Sequence, residues 1–281
     1  MYSIAIKTNN SQSIEYLKNN FKKIELDTTY FSCKNFKHYT NIIIHYKGNN
    51  TDEFIKKVST ILSFLVIYEY EEKFLKQIIY QDYFYFLDKE KEKILENCFN
   101  IIIDSNSIMK NKFKNLLDTF SKHLTTNKKI YLSGFINFRM NKYKKILNTI
   151  VDEAVNNFII EKEYNEFISL LRLYINSSNN SDEDVHLVYS KDFSVILDNN
   201  KNVIKSSDDI FKAKFLSDIT FSANDYTLNT LLDILPNKIH IHLIDNYYDE
   251  FINTLKLIFE NRIDLNYDSN ICKLYQNKIK R

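Results

Sequence analysis

From Gly134 to Ile175 the chain reads GFINFRMNKYKKILNTIVDEAVNNFIIEKEYNEFISLLRLYI, with no proline and no glycine after the first residue. Apolar residues recur in it at three- and four-residue spacing, the period of a helix with one buried face. A stretch of roughly forty residues exceeds an ordinary globular helix of three to four turns. Two helices are therefore predicted, about 135–159 and 161–175, with a bend near Ile160–Glu161. The same scarcity holds throughout: the 281 residues include two glycines, Gly48 and Gly134, and one proline, Pro236. Dinucleotide fingerprints, phosphate-binding loops and nucleophile elbows need glycine where the backbone turns sharply or approaches a phosphate, so all three are excluded. An HExxH zinc motif is absent too.

Around this segment the periodicity changes. Residues 2–7 alternate as a strand, and Ser11 or Ser13 is placed to cap a helix to Lys23 with Ile14, Leu17 and Phe21 on one face. Strand-like runs follow at 28–33 and 41–46, ending in the turn Lys47–Gly48–Asn49. Asn50–Thr51–Asp52–Glu53 is a helix start, with acidic residues at the positive helix end. Helical character then runs to about Ser121, with breaks near Asp88 and at 104–107, and 126–130 forms a short connection. Asn176–Asp184 is a polar loop. Beyond it come strands at 185–190 and 193–198, helices at 208–216 and 227–235 (stopped by Pro236), strand 238–244, helix 248–261 and strand 262–267. The fold expected is α+β: a small N-terminal β-α-β-β unit over 1–49, a helical domain over 50–176, and a C-terminal α/β module over 184–281 with a short mixed sheet.

Net charge is only +2, so no global field selects a partner. Locally, 110–145 carries nine lysines and Arg139 against Asp118 alone, while 152–166 is acidic. Three cysteines, Cys33, Cys98 and Cys272, are widely spaced, which suits a reducing interior. The N-terminal residues lack a basic stretch followed by an apolar run, and the longest apolar run, 61–68, is too short to span a bilayer. A cytoplasmic protein without signal peptide, transmembrane segment or cofactor is expected.

The long segment and the C-terminal module together resemble the YtxC-like sporulation proteins of spore-forming low-GC bacteria. Those proteins carry a GF-x-x-FR start and an EKEY-x-EFI-x-LL stretch. The matching positions here are Gly134, Phe135, Phe138 and Arg139, then Glu161, Lys162, Glu163, Tyr164, Glu166, Phe167, Ile168, Leu170 and Leu171. PNKIHIHLID, the helix after it and NRIDL extend the likeness, which covers about 130–267. The resemblance implies a role in endospore formation and no assigned catalytic or binding residue.

Four constellations could carry chemistry. Glu163 and Glu166 share a helix face with Glu153, so with Arg139 they could hold a divalent ion or act as acid and base; the simpler reading is a solvated acidic face, one glutamate pairing with Arg139. His240 and His242 point to one side of a strand and could ligate zinc with Asp245 as a third ligand; the simpler reading is packing within the sheet. The cysteines lie in no motif that lowers a thiol pKa and read as inert. The basic stretch, interleaved with Phe113, Phe120, Tyr131, Phe135, Phe138 and Tyr143, has the composition that tracks phosphates and stacks bases, with Lys142, Lys144 and Lys145 its candidates for an anionic partner. The leading expectation is a non-enzymatic protein-interaction or scaffold role through the central helices, with a protein partner in sporulating cells. The alternatives are a nucleic-acid or anionic-surface binder through 110–145, and a metal-dependent hydrolase around Arg139 and the 153–166 carboxylates.

Overall fold

Strict alternation at the N-terminus produces a half-buried sheet. β1 (Tyr2–Thr8) points Ile4, Ile6 and Thr8 inward, and β3 (Thr40–Tyr46) points Thr40, Ile42, Ile44 and Tyr46 to the same side. The antiparallel register sets Ile4 against Ile44 and Ile6 against Ile42, which is how period-two side chains meet across a ladder. β2 (Thr29–Asn35) is the edge strand, and the sheet order is β2-β3-β1-β4. This computed structural model describes residues 1–24, 28–178, 181–204 and 222–266.

β4 (Lys129–Tyr131) corrects the expectation of a plain connection over 126–130: it pairs in parallel with β1, and Ile130 is buried. Between β3 and β4 the chain makes four helices, α2 (Thr51–Glu69), α3 (Glu71–Asp82), α4 (Asp88–Asp104) and α5 (Asn106–Thr126). α1 (Ser11–Phe21) is capped by Asn10, whose Oδ1 accepts from the Ser13 amide at 3.0 Å, and not by Ser11 or Ser13. Ser13 is buried, its hydroxyl 3.1 Å from that of Tyr70. Asn50 caps α2 as expected, accepting from the Glu53 amide while its own side chain donates to the Glu53 carboxylate. The α4–α5 break falls at Ser105, and a further one, unannounced by glycine or proline, falls at Tyr70 between α2 and α3.

The central segment divides differently from expectation. α6 (Leu132–Arg139) ends at Met140, and α7 (Asn141–Ser177) then runs unbroken through Ile160–Glu161. The physical reason is that Ile160-Glu161-Lys162-Glu163 are adequate helix formers with no breaker among them. At the other end Met140 leaves helical dihedrals and is buried, and Lys144 Nζ satisfies the Asn137 carbonyl in the last turn of α6.

Two compact units result, Met1–Glu161 and Lys162–Arg281. In the first, one continuous apolar cluster extends from Ile4 in β1 to Phe158 in α7. In the second, β5 (Val185–Tyr189), β6 (Ser194–Leu197), β7 (Ile239–Leu243) and β8 (Ile263–Asn266) form a mixed sheet in the order β6-β5-β7-β8. β5–β6 is antiparallel, and β5–β7 and β7–β8 are parallel, the last as the strand–helix–strand spacing over 238–267 predicts. Its core face, with Leu187, Ile239, Ile241 and Leu243, clusters with Ile168 and Ile175 of α7 and with α8 (Ala223–Ile234) and α9 (Glu250–Phe259). α8 starts earlier than the predicted Thr227, because Ser222 and Asp225 form a reciprocal capping box. It ends at Leu235 in left-handed conformation, φ 48°, since Pro236 disfavours a right-handed helical predecessor. The predicted helix 208–216, Tyr267 and Cys272 lie outside the described residues.

Candidate functional site

The polar face of α5 forms one wall of a cleft. Leu116, Phe120 and Leu124 are buried in the first core, which turns Asn115, Asp118, Thr119, Lys122 and Thr126 away from it at helical spacing. The opposite wall is the α6–α7 junction, with Phe135, Arg139, Asn141 and Lys142. The cleft is open to solvent and its volume is about 440 Å³. Phe135 is buried as its floor, stacked on Phe120 at 5.0 Å between centroids and 4.7 Å from the ring of His123. His123 Nε2 lies 3.1 Å from the Lys129 carbonyl oxygen, which fixes the imidazole against the end of β4.

Of the three lysines singled out for an anionic partner, Lys142 alone lines this cleft. Lys144 sits 4.8 Å over the Phe74 ring and donates to the Asn137 carbonyl, so its charge is engaged within the fold, while Lys145 is exposed elsewhere on α7. The rest of the basic stretch disperses in the same way. Lys128 lies over Tyr2, and Lys112 is buried. The excess of positive charge over 110–145 is therefore not one patch.

The acidic residues do not converge on Arg139. Asp152, Glu153, Glu161, Glu163 and Glu166 are all exposed on α7, Asp152 accepting from the Tyr83 hydroxyl at 2.6 Å. Arg139 forms no ion pair among the described residues, which corrects the expected pairing with a glutamate. Within the second unit the signature residues separate by face. Tyr164, Ile168, Leu171 and Ile175 face the core, Tyr164 OH lying 2.9 Å from Thr254 Oγ1. Phe167, Leu170, Leu173 and Tyr174 are exposed on the other side, as Phe138 is in the first unit. Gly134, inside α6, has open space where a Cβ would stand and no positive φ, so nothing steric requires glycine there.

His240 and His242 share a face of β7, as alternation demands, and the structure adds His186 from β5, which the sequence reading missed. His186 Nδ1 is 3.0 Å from His242 Nε2, and His240 lies 3.3 Å from Asp264 and 3.8 Å from Asp184. Asp245 is exposed in the turn after β7. Among the described residues no three His, Cys, Asp or Glu side chains are arranged to hold a metal ion. Cys33 is exposed, and burial pushes the Cys98 thiol up to about 12, so Cys98 stays protonated and inert.

One buried polar network carries no sequence signal. Glu71 at the start of α3, Lys112 of α5 and Tyr143 of α7 are all buried; Lys112 Nζ reaches Glu71 Oε2 at 2.7 Å, and the Tyr143 hydroxyl donates to the same oxygen. Burial, followed by the neighbouring carboxylate, raises the Tyr143 phenol, which keeps it a donor. With all three side chains buried and bonded to one another, the group reads as a tie between three helices.

The profile of the YtxC-like family matches residues 56–264, most of the chain. The chain belongs to the YtxC-like family. A curated relative, "Uncharacterized protein YtxC" of Bacillus subtilis (strain 168), is 21% identical over 206 residues, covering 69% of this chain and 71% of the relative. No solved structure matches it. The YtxC-like match begins within α2 and ends in β8, so it takes in the four helices preceding β4 as well as the segment whose residues carry the resemblance. No described helix is long and apolar enough to cross a membrane.

Proposed function

We propose that this YtxC-like protein acts in the cytoplasm during endospore formation as a non-enzymatic interaction factor, and that the outer face of α7 is its contact surface. The observation that carries this reading is the exposure of Phe167 (48%), Leu170 (64%), Leu173 (66%) and Tyr174 (48%) along one side of that helix. Scattered exposed apolar residues are ordinary, but a row at i, i+3 and i+7 spacing is the pattern of a helix that docks on another. Exposed Glu163 and Glu166 lie beside the row, so the complementary partner is an amphipathic helix whose apolar stripe is flanked by lysine or arginine. The free thiols of Cys33 and Cys98 suit a reducing compartment. The sporulation context follows from the family resemblance.

A photo-crosslinking residue at position 170, compared with one at Lys56 on α2, tests this in sporulating cells. The expected result is an adduct at 170 only, mapped by mass spectrometry to a basic-flanked amphipathic segment and lost when Phe167→Asp is added. Equal labelling at both positions, or an adduct consisting of a second copy of this chain, would overturn the reading.

A further inference from the structure

We infer that the cleft between α5 and the α6–α7 junction binds a small phosphate-bearing anion, a ligand separate from the protein partner of α7. Three cations, Lys122, Arg139 and Lys142, line one space of about 440 Å³ against a single carboxylate, Asp118. None of the three forms an ion pair among the described residues. Like charges gathered in a concave, partly apolar site raise the local potential for an anion, because low-dielectric walls focus the field. Asn141 and Lys142 are also the first residues of α7, so the positive end of that helix dipole adds to the same field. A planar guanidinium beside two ammonium groups matches the several oxygens of a phosphate better than the two of a carboxylate. The side-chain amide of Asn127 adds a neutral donor beside the charged centre, whereas the Thr119 and Thr126 hydroxyls and the Asn115 amide donate to carbonyl oxygens within α5.

Two features favour a small ligand over a nucleic-acid strand. Phe135 is buried as the floor of the cleft and offers no open face on which a base could stack, and the His123 imidazole beside it is tied to the Lys129 carbonyl. Asp118 stands on the wall, where a continuous phosphate backbone would meet it unfavourably, whereas a single phosphate can sit at the Arg139 side.

Calorimetric titration of the full chain with inorganic pyrophosphate at low ionic strength tests the inference. Binding is expected, weakened about tenfold or more by Arg139→Gln or by Lys142→Gln, as the loss of one charge-assisted hydrogen bond requires. Lys145→Gln, which removes the same charge outside the cleft, should leave it unchanged. All three sites are exposed, so the variants should fold, which circular dichroism checks. Equal weakening by Lys145→Gln, or no binding at low salt, overturns the inference. So does tight binding of a single-stranded oligothymidylate that pyrophosphate fails to displace. None of these outcomes bears on the crosslink at position 170, so the two proposals fail separately.

Discussion

Lys112→Ala should lower the unfolding free energy by about 3–5 kcal/mol, the cost of leaving a buried charge without its partner. Glu71 would keep the Tyr143 hydroxyl but lose the ammonium 2.7 Å from its Oε2. That loss is a large part of the roughly 5–15 kcal/mol that stabilises an ordinary domain. Tyr143→Phe removes only a neutral donor and should cost about 1–3 kcal/mol. Removing the whole group differs from breaking it: Glu71→Leu with Lys112→Met and Tyr143→Phe removes both charges and the hydroxyl that Glu71 accepts, and should recover most of the stability. Urea unfolding followed by far-UV circular dichroism gives these values. A loss below about 1 kcal/mol for Lys112→Ala, the size of an exposed ion pair, would contradict the buried geometry.

Phe54→Ala should be comparably damaging, about 3–5 kcal/mol, because the ring is fully buried at the seam between the N-terminal sheet and α2. It stacks on Tyr46 at 5.0 Å and meets Tyr2 edge-on at 6.1 Å, and those two tyrosines face each other across β1 and β3. One truncation therefore removes two aromatic contacts and opens a cavity that the stiff, β-branched strands cannot collapse to fill. At about 2–4 °C per kcal/mol for a unit of this size, the melting temperature should fall by roughly 10 °C. A shift of only a degree or two would mean that the sheet and α2 are not one cooperative structure.

The parts of the fold that local chemistry dictates were legible in the sequence. β1 and β3 show clean alternation, Asn50 with Glu53 marks a helix start, and Pro236 ends α8. The misses share a cause. β4 is three residues long and includes Lys129, so it has no hydrophobic period of its own; β1 supplies its partner from far away in sequence. Tyr70 and Met140 interrupt helices without a breaker residue, because burial at those points decides the chain's direction. Glu71 and Lys112 read as surface charges until three helices bring them together. His186 gives no hint of His242 until β5 and β7 pair in parallel.

The candidate sites divide along the same line. That the central segment has two faces was readable from its period, and the signature residues do split between the core and solvent. The cleft was only half readable. Arg139 and Lys142 stood out in the basic stretch, but the stripe Asn115–Asp118–Lys122, also at helical spacing, faces them only once α5 and the α6–α7 junction pack together. Composition alone grouped Lys142 with Lys144 and Lys145; three-dimensional packing separates them, since Lys144 lies over Phe74.

Counting heat-resistant spores in a spore-forming host that carries Phe167→Asp and Leu170→Asp in its own copy of this gene tests the proposed role of α7 most directly. Both side chains are exposed, so the protein should remain folded and present at normal abundance, which immunoblotting checks. Spore yield should fall to the level of a strain lacking the gene. Unchanged spore yield from the double variant, in a host where deletion of the gene lowers it, would contradict α7's outer face as the working surface.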